Sequence, residues 1–251
     1  MRNYPHKPSE AVFQRNLLAA MKRLVPRDDI TPKLLAGRNE RFLPLNAKWA
    51  LECACRSYAL ERDQEIVLDF LRQSNWSFKK AIETQARVNL WEVITHLSVA
   101  LILRDNQIVK LLSEIQRERY ENPNIEFPES TYALKEAEAD IAAGRDEAAA
   151  KQLEKALSEL ASEKLPRITR DELESALLIA QAIVYRSQDV FDSAIEKRHA
   201  SYIRKFSNPE IRNMPEGAID IWGLGLARLA MDKGLTLKAN SVYLPPELLG
   251  S

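Results

Sequence analysis

STYALKEAEADIAAGRDEAAAKQLEKALSEL, residues 130 to 160, holds two helical patterns separated only by Ala143-Gly144-Arg145. Alanine and leucine recur at helical spacing on both sides of that break. Gly144 can take the left-handed conformation that ends a helix. So short a connection leaves the second helix no course but back along the first, which predicts an antiparallel helical hairpin.

The same periodicity extends in both directions. Ser9 can cap a first helix whose apolar stripe is Val12, Phe13, Leu17, Ala20, Met21 and Leu24, with Pro26 just beyond it. Residues 26 to 44, with three prolines and a glycine, read as a connection holding at most a short helical turn. Three long helices are expected over 45 to 61, 63 to 84 and 87 to 103, the second capped by Asp63. The third is apolar on most faces and is expected to be the central one. DNQIVKLLSEIQRER gives a shorter helix, after which Pro123 and Pro128 break the chain.

Beyond the hairpin, Pro166 ends one helix and Thr169 or Asp171 can start the next, ELESALLIAQAIVYRSQ. DVFDSAIEKRHASYIRKF and IDIWGLGLARLAMDK follow, and only LTLKANSVYL hints at an extended segment. The expectation is an all-α fold, a compact bundle of roughly nine or ten helices built from antiparallel hairpins. Residues 1–251 form a single domain in this reading, with sub-halves 1–122 and 129–251 divided by the proline-containing break. The hairpin looks like one tetratricopeptide-type repeat, but no second good copy recurs at a period near ~34 residues.

The bulk composition agrees. The 251 residues are 45% hydrophobic and 29% charged, with only seven glycines, as a folded, helix-favouring chain requires. Lys+Arg and Asp+Glu balance at 36 each, so no overall field draws the chain to nucleic acid or to an anionic membrane. Pro5 and Pro8 stand where a signal peptide needs an apolar run, and no stretch approaches ~18 apolar residues, so a cytoplasmic protein without membrane contact is expected. Cys53 and Cys55, two apart on a helix, point to different faces and suit neither a disulfide nor a zinc clamp.

Catalytic constellations are absent. His6 lies in the proline-rich leader, and His96 in an apolar helix reads as a hydrogen-bonded core histidine. Glu196 and His199 have the Glu-x-x-His spacing of di-iron bundles, but such sites need a second copy that the chain lacks. Gly-x-Ser-x-Gly, the phosphate-binding loop and paired Cys-x-x-Cys are missing too. Neither cofactor nor metal is expected, nor enzymatic activity. In RHASYIRKF, Tyr202 and Phe206 are expected in the core, with Arg198, Arg204 and Lys205 outside or at the helix C-terminus. Gly223 and Gly225 lack the third glycine of a dinucleotide loop, since position 228 is Arg, and are read as sites of close helix approach.

The C-terminal pattern is more telling. Leu226, Leu229, Asp232, Gly234, Tyr243, Leu244, Pro245 and Leu248, with Leu101, Arg104 and Asp105 upstream, resemble the immunity protein 49 family. The resemblance implies a cytosolic, largely helical, non-enzymatic antidote, encoded beside a bacterial polymorphic toxin. It would bind its cognate toxin and block the active site or substrate access. The family has no catalytic motif to transfer, and its interface does not carry over residue by residue. From the residues themselves, the acidic hairpin is the candidate partner surface: Glu136, Glu138, Asp140, Asp146 and Glu147 read as an exposed acidic face for a basic toxin groove. A tetratricopeptide-like adaptor that grips a peptide is the alternative.

Overall fold

The computed structural model describes residues 1–36, 38, 41–120, 127–239 and 241–250, with Lys33 described by its backbone alone. Eleven α-helices occur among them: α1 Glu10–Arg23, α2 Pro32–Ala36, α3 Phe42–Ala59, α4 Gln64–Glu83, α5 Leu90–Ile102, α6 Asn106–Ser113, α7 Glu129–Ala142, α8 Asp146–Ser162, α9 Arg167–Tyr185, α10 Gln188–Phe206 and α11 Ile221–Asp232. No strand occurs among the described residues. The all-α expectation holds. The eleventh helix is α2, five residues long, inside the predicted connection.

Local chemistry sets the helix ends. The side chains of Ser9 and Asp63 accept from the backbone N–H groups of Val12 and Glu65. Asn89 and Glu92 form a reciprocal capping box at the start of α5. Gly144 and Gly234 adopt φ +74° and +87°, where a side chain would be strained. The start of α3 differs from expectation: it begins at Phe42, not Leu45. Pro44 falls in the first turn, where a missing N–H breaks no intrahelical bond, so this proline does not delay the helix.

Helices pair as antiparallel neighbours, α3 with α4, α7 with α8 and α9 with α10. The α9 helix also packs on both members of the preceding hairpin, so consecutive hairpins stack although their sequences do not repeat. Central α5 is buried along most of its length and lies against α11, α6 and α4. A Cβ at Gly225 would sit 2.6 Å from Ser98 Cβ and 2.7 Å from Ser98 Cα, so the α5–α11 approach depends on that glycine. His96, on α5, stacks on Phe78 with ring centroids 4.0 Å apart, and its Nδ1 has no hydrogen-bond partner. Stacking therefore holds this ring where a hydrogen bond was expected, and burial drives its pKa down to about 3. Cys53 faces Leu17 and Ala20 of α1, while Cys55 joins the main core; both are free thiols.

One cluster of buried apolar side chains runs from Tyr4 to Leu249. At its edge the proline-rich leader folds back on the C-terminal segment. Tyr4 donates its hydroxyl to the Ala218 carbonyl (3.1 Å), and His6 Nδ1 lies 2.8 Å from the Tyr243 hydroxyl. Leu235 to Ala239 form no strand. The Gln188 amide donates to the Thr236 carbonyl and accepts from its N–H, both at 2.9 Å, so a side chain satisfies the backbone that a neighbouring strand would have paired. Residues 121–126, within the predicted break between sub-halves, and Asn240 lie outside the described residues.

Candidate functional site

The structure divides the predicted acidic face. Residues two apart on a helix point nearly opposite ways, so Glu136 and Asp140 look outward while Glu138 turns inward. Glu138 is 1% exposed, with no hydrogen-bond partner for either carboxylate oxygen. Burial raises its pKa to about 8 against the opposing charges of Arg198 and Lys135. The expectation of an exposed, ordinary acid at this position is therefore corrected. The reason is tertiary: α6, α8, α9 and α11 all pack on α7, and a pattern that reads as a solvated face is largely enclosed. Lys135 is enclosed as well, and donates to the carbonyls of Ser113 (3.3 Å), the last residue of α6, and Ile115 (3.2 Å), just beyond it.

Two more of the five acids are engaged within the chain. Asp140 pairs with Arg145 at 2.7 Å, and Asp146 pairs with Lys233 at 2.6 Å, tying the hairpin to the end of α11. Glu147 is exposed in the first turn of α8, where the helix dipole favours a carboxylate.

Elsewhere, side chains from distant parts of the chain converge on a cleft of about 390 Å³. Lys48, Leu51, Glu52 and Cys55 supply one stripe of α3 at i, i+3, i+4 and i+7; Trp91 and Thr95 supply one turn of α5. Arg198, Tyr202, Lys205 and Phe206 come from α10, and Thr169 and Glu172 from α9. The segment from Pro215 into the first turn of α11 closes the remaining side with Glu216, Asp220 and Trp222.

A buried ion pair forms the floor. Arg198 donates from Nε to Asp220 Oδ2 (2.5 Å) and from Nη2 to Oδ1 (2.6 Å), and its Nη1 donates to the Glu172 carbonyl (3.2 Å). Asp220 also caps α11 by accepting from the Gly223 N–H at 3.0 Å. A Cβ at Gly223 would meet Arg198 Nε at 2.8 Å, so this glycine makes room for the pair. Arg198 is thus inside, contrary to the expectation that the basic residues of RHASYIRKF lie outside; a bidentate carboxylate meets the requirement that a buried charge be paired. Tyr202 and Phe206 are buried as expected. The Tyr202 hydroxyl rests against the carbonyls of Glu216 and Ile219.

The walls combine aromatic rings and carboxylates. Trp91 and Trp222 stack with centroids 4.7 Å apart and planes 18° from parallel, both partly exposed, and Trp222 donates its Nε1–H to Thr95 Oγ1 at 3.1 Å. Glu172 pairs with Lys205 at 2.7 Å. Glu52 and Glu216 form no ion pair among the described residues. Burial raises the Glu52 pKa and the Glu216 charge raises it further, while Arg56, Lys48 and Arg23 oppose. Cys55 is a poor nucleophile, because burial pushes its thiol well above the ordinary range. The cleft thus sets partly exposed aromatic rings beside charged groups.

His199 is half-buried against the Tyr243 ring, and Glu196 is exposed. Among the described residues, no three His, Cys, Asp or Glu side chains gather as a metal site, and no helix is long and apolar enough to cross a membrane. Of the cleft residues, sequence reasoning overlooked Trp91, Trp222, Glu52, Glu216 and Asp220. Only Asp220 carried a local signal, as an N-cap residue three positions before Gly223.

An all-helical body with an aromatic and charged cleft belongs, by its sequence match, among the immunity proteins. The family is immunity protein 49, whose model matches residues 46–248, and the chain belongs to it. The match begins in α3 and ends in the C-terminal 3-10 turn, Pro246–Leu249, so it covers every residue that lines the cleft. No curated protein and no solved structure matches the chain.

Proposed function

We propose that this protein is a cytoplasmic antidote that binds a cognate bacterial toxin and neutralises it by covering the active site or the route of the substrate. The observation that carries the reading is membership of the immunity protein 49 family over residues 46–248. Stoichiometric binding, without turnover, is the mode in this proposal. On the hairpin, Glu136 and Glu147 would meet a basic toxin surface directly, Asp140 and Asp146 while paired with Arg145 and Lys233, and Glu138 is enclosed.

The test is co-expression with the toxin encoded by the adjoining gene, followed by co-purification. Restored growth with a stable complex is the expected result. Continued killing with no complex would overturn the proposal. A second reading, an adaptor that holds a peptide, draws support from the stacking of α9 on the α7–α8 hairpin. It predicts binding to an unfolded toxin segment as tight as binding to the folded toxin, which the same purified components can measure.

A further inference from the structure

The two ion pairs in the cleft leave its carboxylates unequal. Asp220 is held by Arg198, and Glu172 by Lys205. Glu52 on α3 and Glu216 on the Pro215–Gly217 turn, which packs against α3, line the same cavity, and neither has an ion pair among the described residues. Three cations lie near Glu52. Lys48 is exposed one turn earlier on α3 and comes no closer than the limit for an ion pair. Arg23 is exposed on α1. Arg56 is buried over the Phe13 ring, 5.3 Å from its centroid, and donates to the Asn213 carbonyl. The lining residues themselves carry four carboxylates against three cations, and the stacked indoles of Trp91 and Trp222 line the same cavity.

We propose that the cleft receives an arginine side chain of the protein partner, with its guanidinium between Glu52 and Glu216 and its methylene stem along Trp91 and Trp222. The inference rests on the antidote reading for the identity of that partner. Arginine fits better than lysine: its planar, weakly hydrated head stacks on aromatic faces and bridges carboxylates in two directions, whereas an ammonium is a strongly hydrated point charge. The volume of about 390 Å³ admits one such side chain with its flanking backbone. A single anchor in a mostly desolvated pocket, ringed by contacts that exclude water, is the usual source of most of an interface's affinity.

Two measurements decide it. In the first, N-acetylarginine amide is titrated into the purified protein while the indole N–H signals of Trp91 and Trp222 are followed by NMR. N-acetylcitrulline amide, the uncharged analogue, is the control. Saturable shifts with the arginine probe alone, lost in Glu52→Gln/Glu216→Gln, are expected. In the second, the toxin of the adjoining gene is bound to wild type and to the same double variant, with an expected weakening of at least about tenfold. An unchanged thermal midpoint shows that the variant is folded. No saturable shift, equal shifts with citrulline, or unchanged toxin affinity in the double variant overturns the inference. Failure of the wild type to bind the toxin at all instead overturns the antidote reading, and the arginine titration still decides whether the cleft accepts a guanidinium.

Discussion

The α7–α8 hairpin and the cleft are opposites in how they use charge. The hairpin concentrates acids within a dozen consecutive residues, yet the fold buries one of the five and pairs two of them with the chain's own cations. The cleft draws its charges from positions as distant as Lys48 and Asp220, and two of its carboxylates have no ion pair among the described residues. Local density of charge thus measures composition. Availability of charge is decided by what packs against it.

Perturbations should separate the two regions, and the largest is expected at the cleft floor. Arg198→Ala leaves Asp220 buried without its partner and should cost about 3–5 kcal/mol in denaturant unfolding. A loss under 1 kcal/mol would mean that the floor is wetter than its burial indicates. Next is Gly225→Ala: with Ser98 backbone 2.7 Å from the new Cβ, α11 must move off α5. About 1–3 kcal/mol of overpacking, partly offset by about 1 kcal/mol of helix propensity, is expected as a lower midpoint.

A third experiment addresses the buried acid of the hairpin. Glu138 has a folded pKa of about 8, above the 4.5 of the unfolded chain. The folded state therefore holds the extra proton between those values, and stability falls as pH rises through that window. His96 acts in the other direction: with a folded pKa of about 3 against 6.5 unfolded, it costs stability as pH falls below 6.5. Between pH 6.5 and 8 only the Glu138 slope remains of the two. Stability should drop there by about 1–2 kcal/mol, and Glu138→Gln should flatten the decline. An unaltered slope in that variant would assign the titration elsewhere.

The smallest effect is expected on the outer hairpin. Removing the partly exposed Asp146–Lys233 pair by Asp146→Ala should change stability by about 0–1 kcal/mol, and Glu147→Lys by no more than about 0.5 kcal/mol. Should Asp146→Ala rival Arg198→Ala, the contrast between the two regions would collapse.

Much of the helical architecture was legible because its signals are local. The caps at Ser9 and Asp63 and the left-handed glycine at 144 need no knowledge of distant residues. Gly223 and Gly225 were legible as packing positions once a third glycine was missing. The orientation of Glu138 was illegible, since it depends on α9 and α11 covering a helix whose own pattern is that of a surface helix. The cleft was illegible for the same reason: Trp91 and Trp222 become neighbours only when α11 settles against α5, which takes the whole chain between them.

The contact between His6 and Tyr243 bears on the order of events during synthesis. The two residues are 237 positions apart, so this contact forms only once the ribosome has released nearly all of the matched family region, whereas Arg2 can reach the Tyr58 and Ala59 carbonyls of α3 far earlier. Until then the Tyr4–Ala218 and His6–Tyr243 hydrogen bonds cannot form, while the hairpins between them form from neighbouring segments. Products cut short before Tyr243 would keep most of their helices and leave His6 without this partner. The contact thus reports that both distant segments have been made, where most helices report only on their neighbours.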